Sequence, residues 1–350
     1  MISAKKVSLF CGTGGVGKTT LSAGYALSLT QKNLKVLLIT IDPSKRLKQL
    51  LNLHEVNGVM SQVDTTFLNS QNQGELWAMC MESQTTLQKM AERTGKVSQF
   101  QNSILKNLTS KYSGLNEILS LIELNEKLKS EQFDCIILDT PPGKHFIDFL
   151  ESAHKIHQFF DNSFIEIFDY LNQNATVSPS KLFFKKIVQS GLTKLLSYLE
   201  KVTAPEFVTE FIEAIAILYQ SKNEFLAALV LGEKLKDAEF SNWFLVSSVE
   251  QDKIEEMLQL KEKATPFMHS DQYFLLNKCL AGKIEDWNPL EPELIALKAS
   301  ILKKEDEIEK FSKANFLNTI KIDEVVAIDF KLNEKKHEDL KVIAEQFLRL

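Results

Sequence analysis

Four glycines, Gly12, Gly14, Gly15 and Gly17, alternate with Thr13 and Val16, and Lys18, Thr19 and Thr20 follow at once. Glycine backbones enter conformations closed to other residues, so successive N–H groups can converge on one anion. A lysine directly afterwards supplies a point charge, and the next hydroxyl supplies a ligand for a hard cation. The spacing is G-x-x-x-x-G-K-[ST], that of a phosphate-binding loop (P-loop). Residues 12–20 are therefore expected to hold the phosphates of ATP or GTP, with Lys18 on the β and γ phosphates and the Thr19 hydroxyl on Mg²⁺. Gly12, Gly14 and Gly17 also spell G-x-G-x-x-G, and Asp42 ends the next apolar run, where a ribose-binding acid would stand. A nicotinamide site of that kind has no use for Lys18 and Thr19, and Pro43 after the acid points to a turn serving another purpose.

Triphosphate hydrolysis also needs an acid on the magnesium side and a group that orients the attacking water. The apolar run Cys135 to Leu138 ends in Asp139 and is followed by Thr140, Pro141, Pro142 and Gly143, a turn suited to sensing the γ phosphate. Asp139 is the expected Walker B acid, acting on Mg²⁺ through water. The run from Val36 likewise delivers Asp42 at its C-terminal end, and Asp42 is expected to position the water. For both acids the plainer alternative is a cap on the following helix or turn.

These groups must be carried to one edge of a sheet. Apolar, β-branched runs recur at Lys6 to Cys11, Leu34 to Ile41, Leu76 to Met81, Cys135 to Leu138, Phe244 to Val249 and Tyr273 to Leu276, and each reads as a strand. A helical stretch, about Thr19 to Gln31, joins the first two into a βαβ unit that favours parallel pairing. The expected fold is α/β: a doubly wound, mainly parallel P-loop NTPase core over 1–350, with helical insertions at about 85–129 and 145–235 forming a subdomain. The second insertion carries many of the 23 phenylalanines, among them Phe146, Phe149, Phe159, Phe160, Phe164, Phe168, Phe183, Phe184, Phe207, Phe211 and Phe225. Aromatics three and four apart ordinarily line buried helix faces; the alternative is an apolar groove for a hydrophobic protein client. Asn172 to Ser180 reads as a loop.

Acidic residues exceed basic ones by 46 to 41, so the net charge of −5 offers no general attraction to a nucleic-acid backbone. The first residues lead straight into an apolar strand without the order of segments that secretion requires, and no run of eighteen apolar residues occurs. The chain is expected to be cytoplasmic and not integral to a membrane. Cys11, Cys80, Cys135 and Cys279 sit singly in apolar stretches, as small buried thiols do.

Residues 12–20, the segment Ile41-Asp42-Pro43-Ser44, Ser113 to Glu117, Asp139 to His145 and Leu276-Asn277-Lys278 together resemble the ArsA/Get3 family of dimeric ATPases, within the group that includes MinD and ParA. The resemblance runs nearly end to end. It implies Mg²⁺-dependent ATP hydrolysis coupled to dimer rearrangement, Asp42 as the hydrolytic residue, Asp139 as the magnesium-side acid and Asn277 as an adenine contact. Family loops carry a lysine, reaching across the dimer, where this chain has Thr13. A heterodimer with a paralogous ATPase, or a slowly hydrolysing homodimer, is the corresponding expectation. The C-x-x-C zinc motif and an arsenite-binding cysteine triad are missing. Two further readings stay open, a MinD/ParA-like positioning switch and a nucleotide-binding regulatory subunit with little turnover.

His154 and His157 stand three apart on a predicted helix, a spacing for shared metal ligation, yet no third ligand accompanies them. Lys303 to Lys310, with mixed charges, reads as a solvated helix face. In His337 to Leu350 one helical face carries Leu340, Ile343 and Phe347, for docking on the sheet or for lying on a membrane surface.

Overall fold

The computed structural model describes residues 2–41, 46–53, 57–68, 74–94, 115–143, 145–151, 214, 218, 221–324 and 332–350. The chain divides into two compact units, one of Met1–Glu82, Leu124–Leu150 and Leu231–Leu350, the other of Ser83–Glu123 and Glu151–Val230.

Among the described residues the first unit holds an eight-stranded sheet. In chain order its strands are β1 (Val7–Gly12), β2 (Val36–Thr40), β3 (Ser61–Gln62), β4 (Leu76–Cys80), β5 (Cys135–Asp139), β6 (Ser241–Ser248), β7 (Tyr273–Cys279) and β8 (Thr319–Asp323). Their spatial order is β3-β4-β2-β5-β1-β6-β7-β8, and every pairing is parallel except β3 with β4. Strands β1, β2, β5 and β6 are buried at every position. A parallel strand covered on both faces has no polar side to offer, which is why these segments read as unbroken apolar runs rather than alternating ones.

All six strands expected from the sequence are present. Strand β6 begins three residues before the expected Phe244, because Ser241 and Asn242 use their side chains on the Leu235 and Ser3 carbonyls and so enter the core satisfied. Strands β3 and β8 lie at the two edges, and neither has an apolar run: β3 has two residues, and in β8 only Ile322 is buried.

Helix α1 (Lys18–Thr30) crosses from β1 toward β2, and α2 (Arg46–Leu50) follows β2. The C-terminal helix α9 (Leu332–Arg349) buries Leu340, Ile343 and Phe347 against this core. Phe347 meets Tyr25 of α1 with ring centroids 5.3 Å apart, and Phe10 stacks on Phe244 at 4.6 Å. The apolar face of α9 is thus occupied by docking rather than left for a membrane surface. Among the described residues no helix is long and apolar enough to cross a membrane.

Between β6 and α9 the helices are α6 (Gln251–Ala264), α7 (Ala281–Ile284) and α8 (Pro292–Asn315). Lys303 to Lys310 falls on α8, where Lys310 pairs with Asp306 at 2.6 Å in solvent. Glu305 and Ile308 within the same stretch are buried, so that face is only partly solvated. The four cysteines are free and buried. Burial pushes the Cys135 and Cys279 thiols up to about 12 and raises Cys11 and Cys80 as well, leaving little reactive thiolate at neutral pH.

In the second unit, α3 (Ser83–Thr94) presents Thr86 and Lys89 to Glu123 of α4 (Leu115–Lys129), each at 3.0 Å. Glu123 is buried, and these two donors compensate its desolvation. Helix α5 (Lys222–Lys234) buries Phe225, and Phe146 and Phe149 are buried in the first unit. These three phenylalanines are core residues. The other eight named above, the Asn172 to Ser180 loop, His154 and His157 lie outside the described residues.

Candidate functional site

Strand β1 ends at Gly12, and the chain turns through residues 13–17 into α1. Gly15 and Gly17 have φ of 80° and 94°, the left-handed region that side chains other than glycine's resist. At Gly17 a second constraint acts, because a Cβ there would overlap the Asn277 side-chain amide. The first helical hydrogen bond runs from Leu21 N to Gly17 O at 3.0 Å, so the N–H groups at the start of α1 have no intrahelical acceptor. This leaves a concave row of donors at the positive end of a helix dipole.

Lys18 is 7% exposed, and its ammonium lies 2.8 Å from the Thr13 carbonyl and 3.1 Å from that of Gly12. The cation is held by the loop it would serve. Thr13 is 6% exposed, so its side chain turns into the protein rather than outward.

The strand order brings the acid to this loop. Strand β5 is inserted between β1 and β2, pairing Asp139 with Phe10 on one side and Thr40 on the other. Asp139 is fully buried, and its Oδ2 accepts the Thr19 hydroxyl at 2.7 Å and the Thr40 hydroxyl at 3.0 Å. The segment after it stays against the loop: Thr140 donates its hydroxyl to Phe10 O at 2.8 Å, and Gly143 N bonds to Gly12 O at 3.2 Å. The turn after Asp139 and the P-loop are therefore mechanically joined.

A cleft of about 480 Å³ opens here, within the range of small-ligand sites. One wall is the glycine turn with Lys18, Thr19 and Thr20; Arg46, Gln49 and Leu50 of α2 and Pro142 complete it. It sits beyond the carboxyl ends of β1, β2 and β5, where the strand order reverses, the usual ligand position in open α/β sheets. Thr19 and Asp139 are oxygen donors suited to Mg²⁺. Among the described residues no cluster of three His, Cys, Asp or Glu side chains could hold a metal alone. A hard cation here would need phosphate oxygens and water to complete its shell, as Mg²⁺ in nucleotide sites does.

The sequence profile of the anion-transporting ATPase family, ArsA, matches residues 5–324. The chain belongs to the anion-transporting ATPase family. An ATPase ASNA1 homolog of Plasmodium yoelii yoelii is 32% identical over 139 residues, covering 40% of this chain and 34% of that protein. ATPase get3 of Schizosaccharomyces pombe is 30% identical over 141 residues, and ATPase GET3 of Mycosarcoma maydis 30% over 139, each covering 40% of both chains. The aligned stretches thus span about a third to two fifths of these relatives.

Of the expected site residues, Gly12 to Thr20, with Thr19 against Asp139, come together in this member of the ArsA family. Asn277 lies under the loop, its amide donating to Val16 O at 2.9 Å. Asp42 to Lys45 and Ser113 to Gly114 lie outside the described residues; Glu117 is buried on α4. Sequence reasoning missed Thr40 and Arg46. Thr40 was legible only as a polar residue in an apolar strand, and Arg46 as a cation four residues after Asp42.

Asp139→Ala removes the acceptor of two hydroxyls, that of Thr40 buried and that of Thr19 part-buried at the cleft. Its expected cost is about 2 kcal/mol of folding stability, the penalty for stranding the buried Thr40 donor. Urea unfolding measures it; a loss under 1 kcal/mol would mean that Thr19 and Thr40 re-pair elsewhere.

Proposed function

We propose that this chain binds Mg·ATP in the cleft and hydrolyses it. The observation that carries the reading is the 2.7 Å contact between the first helical hydroxyl after the P-loop lysine and the carboxylate that ends β5. In the loaded site Lys18 leaves the Gly12 and Thr13 carbonyls for the β and γ phosphates. Thr19 and Asp139 would hold Mg²⁺, which would supply positive charge beside the phosphates. Asp42 orients the attacking water. Loss of the γ phosphate is felt by the segments after Asp42 and Asp139, the second of which is bonded to Gly12 and Phe10.

The similarity to the ATPases GET3 and ASNA1 homolog supports this class of reaction. The dimer belongs to the same proposal. With Thr13 turned inward, position 13 supplies no cation to a partner's nucleotide, so a homodimer is expected to turn over slowly and a paralogue to supply the missing charge. The helical insertions pass the movement to a hydrophobic protein client in the cytoplasm.

Titration calorimetry of the folded protein with Mg·ATP tests the core of this reading; absence of heat ends it. Turnover measured alone and with paralogous ATPases tests the dimer, and fast hydrolysis by an isolated monomer would exclude it.

A further inference from the structure

The site has a second structural partner that phosphate chemistry alone does not call for. Strand β7 pairs in register with β6 through Asn277, then bulges against β8 between Leu276 and Cys279. In that bulge Lys278 adopts φ of 63°, a left-handed conformation that costs a branched or long side chain energy and persists only when surrounding contacts impose it. Directly beyond, the backbone N–H groups of Leu280 and Ala281 bond to the buried Glu305 carboxylate at 2.8 and 3.0 Å. The bulge is therefore anchored from behind.

Its outcome is a pair of contacts on successive carbonyls of the P-loop. The exposed Lys278 side chain folds back to place its ammonium 3.2 Å from Gly15 O, while Asn277 holds Val16 O at 2.9 Å. A lysine free in solvent keeps its rotamer entropy; this one is held against the loop. In a trans peptide the C=O of one residue and the N–H of the next point opposite ways. Drawing the Gly15 and Val16 carbonyls toward β7 thus turns the N–H groups of Val16 and Gly17 away from it.

We propose that Lys278, together with Asn277, is a positioning residue that clasps the Gly15–Val16 peptides and presets the loop amides for phosphate. This rests on the reading of the cleft as a triphosphate site, and extends it by locating the loop's preorganisation on β7, some 260 residues away in sequence. The clasp lowers the reorganisation needed when phosphates arrive, and so raises affinity for them whatever base they carry.

Lys278→Gly tests it, because glycine accepts φ of 63° while removing the ammonium; Lys278→Arg restores a cationic donor. The probes are inorganic tripolyphosphate and ATP, each with Mg²⁺, by calorimetry, and amide hydrogen exchange of the ligand-free loop. The Gly variant is expected to bind both probes roughly ten-fold more weakly, the worth of one charge-assisted hydrogen bond, with faster exchange across residues 14–17 and partial recovery of both in the Arg variant. Unchanged affinity would overturn the proposal. So would weakened ATP with unchanged tripolyphosphate, which would make Lys278 a base or ribose contact, or weakened binding with unchanged exchange, which would make it a point charge alone. Failure of the wild-type protein to bind either probe would instead sink the triphosphate reading.

Discussion

A Lys18→Met protein is expected to fold and to bind Mg·ATP about 1000-fold more weakly than the wild type. The ammonium makes two hydrogen bonds, to Thr13 O and Gly12 O, which place it at the loop. Binding exchanges carbonyl acceptors for anionic ones, and each charge-assisted hydrogen bond contributes about 1.5–3 kcal/mol. Two such bonds amount to roughly 3–6 kcal/mol, or about two to four decades in Kd. Methionine keeps most of the buried stem. Gly12 O retains the Gly143 amide, so folding stability should fall by only about 1 kcal/mol for the Thr13 carbonyl. Calorimetry and thermal unfolding together check both halves; a Kd within ten-fold of wild type would show that the loop amides alone hold the ligand.

Asp42→Asn is expected to separate binding from chemistry. The residues on either side of it reach the site: Ile41 N bonds to Asp139 O at 3.0 Å, the Thr40 hydroxyl bonds to the Asp139 carboxylate, and Arg46 lines the cleft. An amide of the same shape keeps this frame but gives up the carboxylate proposed to orient the attacking water. A side chain that positions the reacting water acts on a scale of about 10²–10⁴, so single-turnover hydrolysis should slow at least about 100-fold. Affinity for Mg·ATP should stay within a few-fold, because a water-orienting residue does not hold the phosphates. Retained hydrolysis would remove Asp42 from the chemistry. Lost binding would give it a structural role instead.

The two substitutions test residues that differ in how they were recognisable. Lys18 stands in a motif whose parts are neighbours in sequence, and its surroundings follow from the strand before it and the helix after it. Asp139 was legible as an acid ending an apolar run, yet nothing local to it says which hydroxyls it receives. Thr40 and Arg46 were not legible as site residues, since each reaches the cleft only because β2 ends beside β5 and α2 begins beyond it. The edge strands β3 and β8 went unread for a related reason: a strand exposed on one side can be short and polar, and pairing with a neighbour supplies what its own sequence does not.

By itself the amino-acid order determined the glycine turn, the buried parallel strands, the α/β class and the apolar face of α9, because each depends on a periodicity or spacing within one strand, one helix or one βαβ unit. Only the folded chain decided that β5 lies between β1 and β2, which places Asp139 2.7 Å from a hydroxyl 120 residues away, and that a bulge in β7 sets Lys278 on the P-loop. Strand order and side-chain meetings of that kind arise from packing between segments distant in sequence, where no local pattern carries a signal.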